Sequence, residues 1–227
     1  TSADGHNWAA YTIGSDILLP STRAKVYVRA GTSDGNPTFY SVNTSSGYRF
    51  VTRLGSFEAS GHIMSILDRN ISGAMSTVGW NFSELFHGCE GLICCKDLVF
   101  PNHTTTSCYA AMFKNCTNLV DGPAVLPAES LSGSCYGSMF SGCSLMSNEI
   151  DIRATTRASS SMYNMFYNCG SVDRVALAYR GSLPDTLFAS TSLWLEGVKS
   201  TGTLRFSGEI VSMGSSSVPS GWTVVPY

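Results

Sequence analysis

The stretch CYAAMFKNCTNL at 108–119 returns as CYGSMFSGCSLM at 135–146. A looser copy, SMYNMFYNCGSV, occupies 161–172, and an earlier one, NFSELFHGCEGL, occupies 81–92. The boxes carry Cys89, Cys116, Cys143 and Cys169 at intervals of 27, 27 and 26 residues, and Phe86, Phe113, Phe140 and Phe166 keep the same spacing. A period of about 20–50 residues marks a stack of supersecondary units. One such unit cannot bury its apolar face alone, so neighbouring units must cover each other. No other feature of the chain restricts its fold as strongly.

Within a unit, Tyr109, Met112, Phe113 and Cys116 fall at i, i+3, i+4 and i+7, which predicts a short helix with one apolar face. Asn115 or Gly142 should break it. A short apolar run follows each box: DLVFP at 97–101, AVLP at 124–127, EIDIR at 149–153 and VALAY at 175–179. EIDIR alternates apolar with polar, as a half-buried strand does. Phe100, Leu126 and Ile152 share the repeat period, so the strands should pair in parallel. Phe86, Phe113, Phe140, Phe166, Cys89, Cys116, Cys143 and Cys169 would then form a structural core column.

The expected fold is an α/β leucine-rich-repeat solenoid of about four 26–27-residue coils over 73–182, each a short helix plus a short parallel strand. Residues 1–72 hold β-rich pieces such as KVYVRA, YRFVTRL, SFEAS and HIMSIL. They read as a small antiparallel sheet capping the first coil, because an open coil end exposes core. Residues 183–227, with GTLRFSGEI and GWTVVPY, read as a C-terminal cap in which Trp194 and Trp222 pack.

The four F-x-x-C boxes, the residues three after each Cys (Leu92, Leu119, Met146, Val172) and LPA at 126–128 resemble the BspA-like leucine-rich-repeat family of bacterial and phage surface proteins. KVYVRAG at 25–31, GSFEASGHIMSIL at 55–67 and the ending STGTLRFSGEI…VPSGWTVV look like segments flanking such repeats in gut Bacteroidales proteins and their phages. The resemblance spans most of 20–225. It implies a surface role without catalysis: adhesion by a bacterium, or host recognition by a phage tail fibre. The expected location is therefore the virion or the bacterial cell surface.

Composition limits the alternatives. Charged residues make up 13% of the 227, and the formal net charge is −2. That fraction is about half the usual ~25%. A neutral surface rich in Ser, Thr, Asn and Gly lacks the basic footprint that nucleic acid requires. No apolar run reaches the roughly 18–20 residues of a membrane-spanning helix, and TSADGHNWAAYTIG does not read as a signal peptide.

A catalytic cysteine needs one distinctive site, and repetition in register argues against that. His87, Cys89, Cys94 and Cys95 have ligand types suited to zinc. Cys89 belongs to the repeat, however, and C-x-x-C spacing is absent, so no metal is expected. Helices pack about 8–10 Å apart, which argues against disulfides between boxes. There is no G-x-S-x-G, H-E-x-x-H or P-loop. His6, His62, His87 and His103 are scattered. Glu149 and Asp151 read as a solvated strand face rather than a catalytic pair. No catalytic residue and no cofactor are expected.

The candidate binding residues are Asp151, Arg153, Arg174 and Tyr179. Asp151 lies between Ile150 and Ile152, so strand alternation points it outward. The others sit at neighbouring strand ends and supply donors and an aromatic surface. The partners they suit are a cell-surface glycan or protein, with a homo-oligomer as a further possibility.

Overall fold

A computed structural model describes residues 55–63, 82–183, 193–210 and 218–227. Most of the expected N-terminal cap, 1–54 and 64–72, lies outside them.

Each repeat contributes two short strands after its box. Preceding the first described box are β1 (Phe57–Glu58) and β2 (Gly61–His62). Then come β3 (Leu92–Cys94) with β4 (Leu98–Val99), and β5 (Val125–Leu126) with β6 (Ser130–Leu131). They are followed by β7 (Ile150–Ile152) with β8 (Thr156–Arg157), and β9 (Arg174–Leu177) with β10 (Ser182–Leu183). The last are β11 (Thr201–Phe206), β12 (Glu209–Ile210) and β13 (Gly221–Pro226).

Every pairing between the described strands is parallel. The largest sheet has the order β13-β11-β9-β7-β5, so sequential units lie side by side. A parallel bridge between Cys94 and Asp121 links the β3 unit to the β5 unit. The second strands pair separately, as β2-β4, β6-β8 and β10-β12.

Two expectations for the flanks change. Phe57–Glu58 and Gly61–His62 pair in parallel with β3 and β4, not in an antiparallel sheet. Beyond residue 183, β11 and β13 extend the main sheet in register, so this segment adds strands to the stack.

The boxes are not helices. Almost no helix exists among the described residues, and the boxes are runs of turns. Ser107, Ala111 and Asn115 have φ of 55, 52 and 60, the left-handed region that an α-helix cannot accommodate. Ser134, Ser138 and Gly142 repeat this in the next box, and Ser160, Asn164 and Asn168 in the one after. Backbone amides take turns in their bonding. Those of Ala110, Met112, Lys114 and Cys116 donate three residues back, to Ser107, Tyr109, Ala111 and Phe113. Those of Tyr109, Ala111, Phe113 and Asn115 donate to the next unit, at Cys135, Gly137, Met139 and Ser141. A box is thus a staircase of β-turns, bonded to its neighbour as a strand would be. These bonds between units offset left-handed backbone that costs roughly 1–2 kcal/mol per residue.

The side chains between units form columns. The Phe86, Phe113 and Phe140 rings stack with centroids 5.5 Å apart and planes 2° apart, and Phe166 continues at 5.5 Å and 15°. A second column holds Phe82, Tyr109 and Tyr136. Ile150, Val175 and Leu204 are in register across the sheet and buried, as are Ile152, Leu177 and Phe206.

A fifth box follows at 193–199. The amides of Phe166 and Asn168 donate to Trp194 and Glu196. That register puts Leu195 in the Phe position, Gly197 (φ 77) in the Asn position and Val198 in the Cys position. Trp194 meets Phe166 edge-on at 6.3 Å.

Candidate functional site

The repeated cysteine is bound into the backbone. The Cys116 thiol donates to the Phe86 carbonyl oxygen at 2.9 Å, and Cys143 and Cys169 donate to Phe113 and Phe140 at 3.0 Å. Each of these carbonyls also accepts an amide from its own box: Cys89, Cys116 and Cys143 respectively. All eight cysteines are free thiols, and all but Cys94 are buried. Burial pushes the Cys116 and Cys169 thiols up to about 12, and raises Cys143 and Cys95 well above their ordinary value. Such groups are poor nucleophiles and poor metal ligands.

The distance argument against disulfides does not survive. Boxes bonded as strands lie about 4.8 Å apart, within the roughly 4.4–6.8 Å that a disulfide spans. The 8–10 Å helix spacing never applies; the Cys116, Cys143 and Cys169 thiols instead each donate to a backbone carbonyl of the neighbouring unit. His87 pairs with Glu84 at 3.4 Å, and the described residues contain no group of three or more His, Cys, Asp or Glu placed to hold a metal.

The richest polar arrangement is the outer face of the five-stranded sheet. Asp151, Ala176 and Arg205 are in register on β7, β9 and β11. The central Ala176 is fully buried although it faces outward. Arg205 reaches over β9 to Glu149, with Nη1 2.9 Å from Oε1. Tyr227, just beyond β13, donates its hydroxyl to Asp151 Oδ1. The Arg205 guanidinium lies 5.3 Å from the Tyr227 ring centre, a cation–π contact. Burial, then the bond to Asp151, pushes the Tyr227 phenol up to about 12.

The four residues expected to bind ligand divide between two places. Arg153 Nε lies 3.1 Å from Asp151 Oδ2, so these two meet. Arg174 turns to Asp173 at 3.3 Å and to the Ser147 carbonyl at 3.4 Å. Lys199 takes the other Asp173 oxygen at 2.7 Å, and its hydrogen bond holds that carboxyl below its ordinary value of 3.8. Tyr179 is half-buried against the core, and Arg157 lies 5.0 Å over its ring. No described contact joins Tyr179 to Asp151.

Glu149, Asp173, Lys199, Arg205 and Tyr227 complete the face. The sequence contains a signal for one of them: Arg205 stands between Leu204 and Phe206, the alternation of an outward strand position. Nothing local marks Tyr227, which arrives from beyond the far strand of the sheet.

Comparisons with protein-family models, with curated proteins and with solved structures return no match. Among the described residues no helix is long and apolar enough to cross a membrane.

Proposed function

We propose that this protein is a non-enzymatic surface recognition module that binds a host-cell or cell-surface ligand, glycan or protein, through the outer sheet face. In this reading the units are turns of a leucine-rich-repeat solenoid of BspA-like kind, carried on a phage tail fibre or as a bacterial adhesin. The solenoid reading draws support from parallel register and ring columns at the repeat period, with turn ribbons where helices were expected. One observation carries the binding reading: several charged side chains converge over the strand face around the buried Ala176. Solenoids commonly bind along such faces.

The test is attachment of the labelled full chain to candidate target cells. A variant with Asp151→Ala, Arg153→Ala and Arg174→Ala, shown by circular dichroism to be folded, should lose attachment. Undiminished attachment would move the site elsewhere.

A second reading, a purely structural virion or envelope component, is favoured by a different observation. Each carboxylate on the face already has a partner within the chain. Under that reading no cell type is bound by parent or variant.

A further inference from the structure

Donors and acceptors on the sheet face are not balanced, and the imbalance selects a ligand class. Both oxygens of Asp151 are taken, Oδ2 by Arg153 and Oδ1 by Tyr227. Both oxygens of Asp173 are taken, Oδ1 by Arg174 and Oδ2 by Lys199. Glu149 holds Arg205. The carboxylates are also recessed: the Asp151, Asp173 and Glu149 side chains are 25%, 30% and 32% exposed.

The cations differ on both counts. The Arg153, Arg174, Lys199 and Arg205 side chains are 54%, 59%, 47% and 42% exposed. A guanidinium carries five N–H donors and an ammonium three. Arg153 uses Nε alone, and Arg205 uses Nη1 alone, in the hydrogen bonds of the described residues. Four cations, the more exposed groups, therefore stand above three partnered carboxylates, and unused donors outnumber unused acceptors among these charged groups. Tyr227 adds an aromatic surface, 39% exposed, at the edge of this group.

A ligand for such a face must bring acceptors and negative charge. The exposed ring beside guanidinium groups suits a sugar, whose apolar C–H face lies on an aromatic while its acidic substituent meets Arg. We propose that the face formed by Arg153, Arg174, Lys199, Arg205 and Tyr227 binds an anionic carbohydrate, a chain of sugars bearing carboxylate or sulfate groups. This inference rests on the recognition reading above and names its ligand class.

The experiment measures binding of the full chain to immobilised polygalacturonate, dextran sulfate, uncharged dextran and poly-glutamate. Polygalacturonate or dextran sulfate should bind; whichever binds identifies the acidic group. Dextran and poly-glutamate should not. Arg153→Gln with Arg174→Gln and Lys199→Gln should weaken binding by about tenfold or more, since charge-assisted hydrogen bonds are the strong ones. Lys114→Gln, on a turn ribbon, carries the same type of charge change and should leave binding unaltered. Binding should fall as salt shortens the screening length from about 10 Å at 0.1 M to about 3 Å at 1 M.

Equal binding of dextran would overturn the role of charge, and equal binding of poly-glutamate would overturn the carbohydrate class. Failure of both acidic glycans sinks this inference alone if the folded alanine variant still loses cell attachment. If that variant attaches as well as the parent, the recognition face itself is misplaced.

Discussion

The Cys143 thiol donates to a carbonyl, that of Phe113, which already accepts the Cys116 amide. Cysteine thus recurs because its side chain is small, apolar and able to donate one weak bond to the neighbouring unit. Burial leaves the Cys116 and Cys169 thiols little thiolate character at neutral pH. In native protein at neutral pH, Cys116, Cys143 and Cys169 should resist alkylation, and the half-buried Cys94 should be modified first. Mass spectrometry after brief labelling checks this; early modification of Cys143 would contradict it. The pH dependence follows from the same burial. Folding favours the neutral thiol and raises the Cys116 and Cys169 values from 9.0 to about 12. Their contribution to stability is therefore complete below pH 9.0 and is lost as pH rises through about 12. Denaturation midpoints should begin to fall in that window.

At the scale of the element, the turn ribbon and a helix respond oppositely to one substitution. Ala111 has a φ of 52. Glycine in an α-helix interior costs roughly 1 kcal/mol relative to alanine. In the left-handed region it relieves a comparable strain, against the greater conformational entropy that glycine gives the unfolded chain. Ala111→Gly should therefore be neutral or stabilising by up to about 1 kcal/mol in chemical denaturation. A loss of about 1 kcal/mol would be the helical result. The main sheet carries a complementary constraint at Gly202. A methyl group there would lie 2.5 Å from the Asp173 carbonyl oxygen and 2.6 Å from the Trp222 ring. The carbonyl is backbone and cannot step aside, so Gly202→Ala should cost about 1–3 kcal/mol by overpacking.

For the whole molecule, stability should come from contacts between neighbouring units. Phe140 touches Phe113 on one side and Phe166 on the other, and it is fully buried. Phe140→Ala should cost roughly 3–5 kcal/mol. Combined with Phe113→Ala, the loss should differ from the sum of the single losses by about 0.5–3 kcal/mol, as for residues in contact. A double-mutant cycle by denaturant titration measures this, and strict additivity would mean that the rings do not share a column. The outer face should matter far less to stability. Its ion pairs are a quarter or more exposed, and such pairs contribute about 0.2–1 kcal/mol each. Changes there should alter binding and leave the unfolding midpoint nearly unmoved.

The repeat, its register and the identity of the buried columns were legible in the sequence, because a fixed period repeats the same environment in every unit. The backbone conformation of the box was not. Buried residues in the second box begin as Cys108, Tyr109, Met112, Phe113 and Cys116, in steps of four, before Leu119 closes it. Over so short a run, a period of 4 and one of about 3.6 place the same side chains inward. Only the bonds between units show that the backbone is a turn staircase. The small residues at Ser107, Ala111 and Asn115 mark its left-handed steps, a signal that is readable once its period is known. The fifth box is not legible in the sequence, because the aromatic–Cys pair is replaced by Leu195 and Val198. Asp151 and Arg153 could be placed outward by alternation, a local property of a strand. The partnership of Glu149 with Arg205, and of Asp151 with Tyr227, could not. Those residues are 56 and 76 positions apart, and only the lateral stacking of later strands on β7 and β9 carries them to one face.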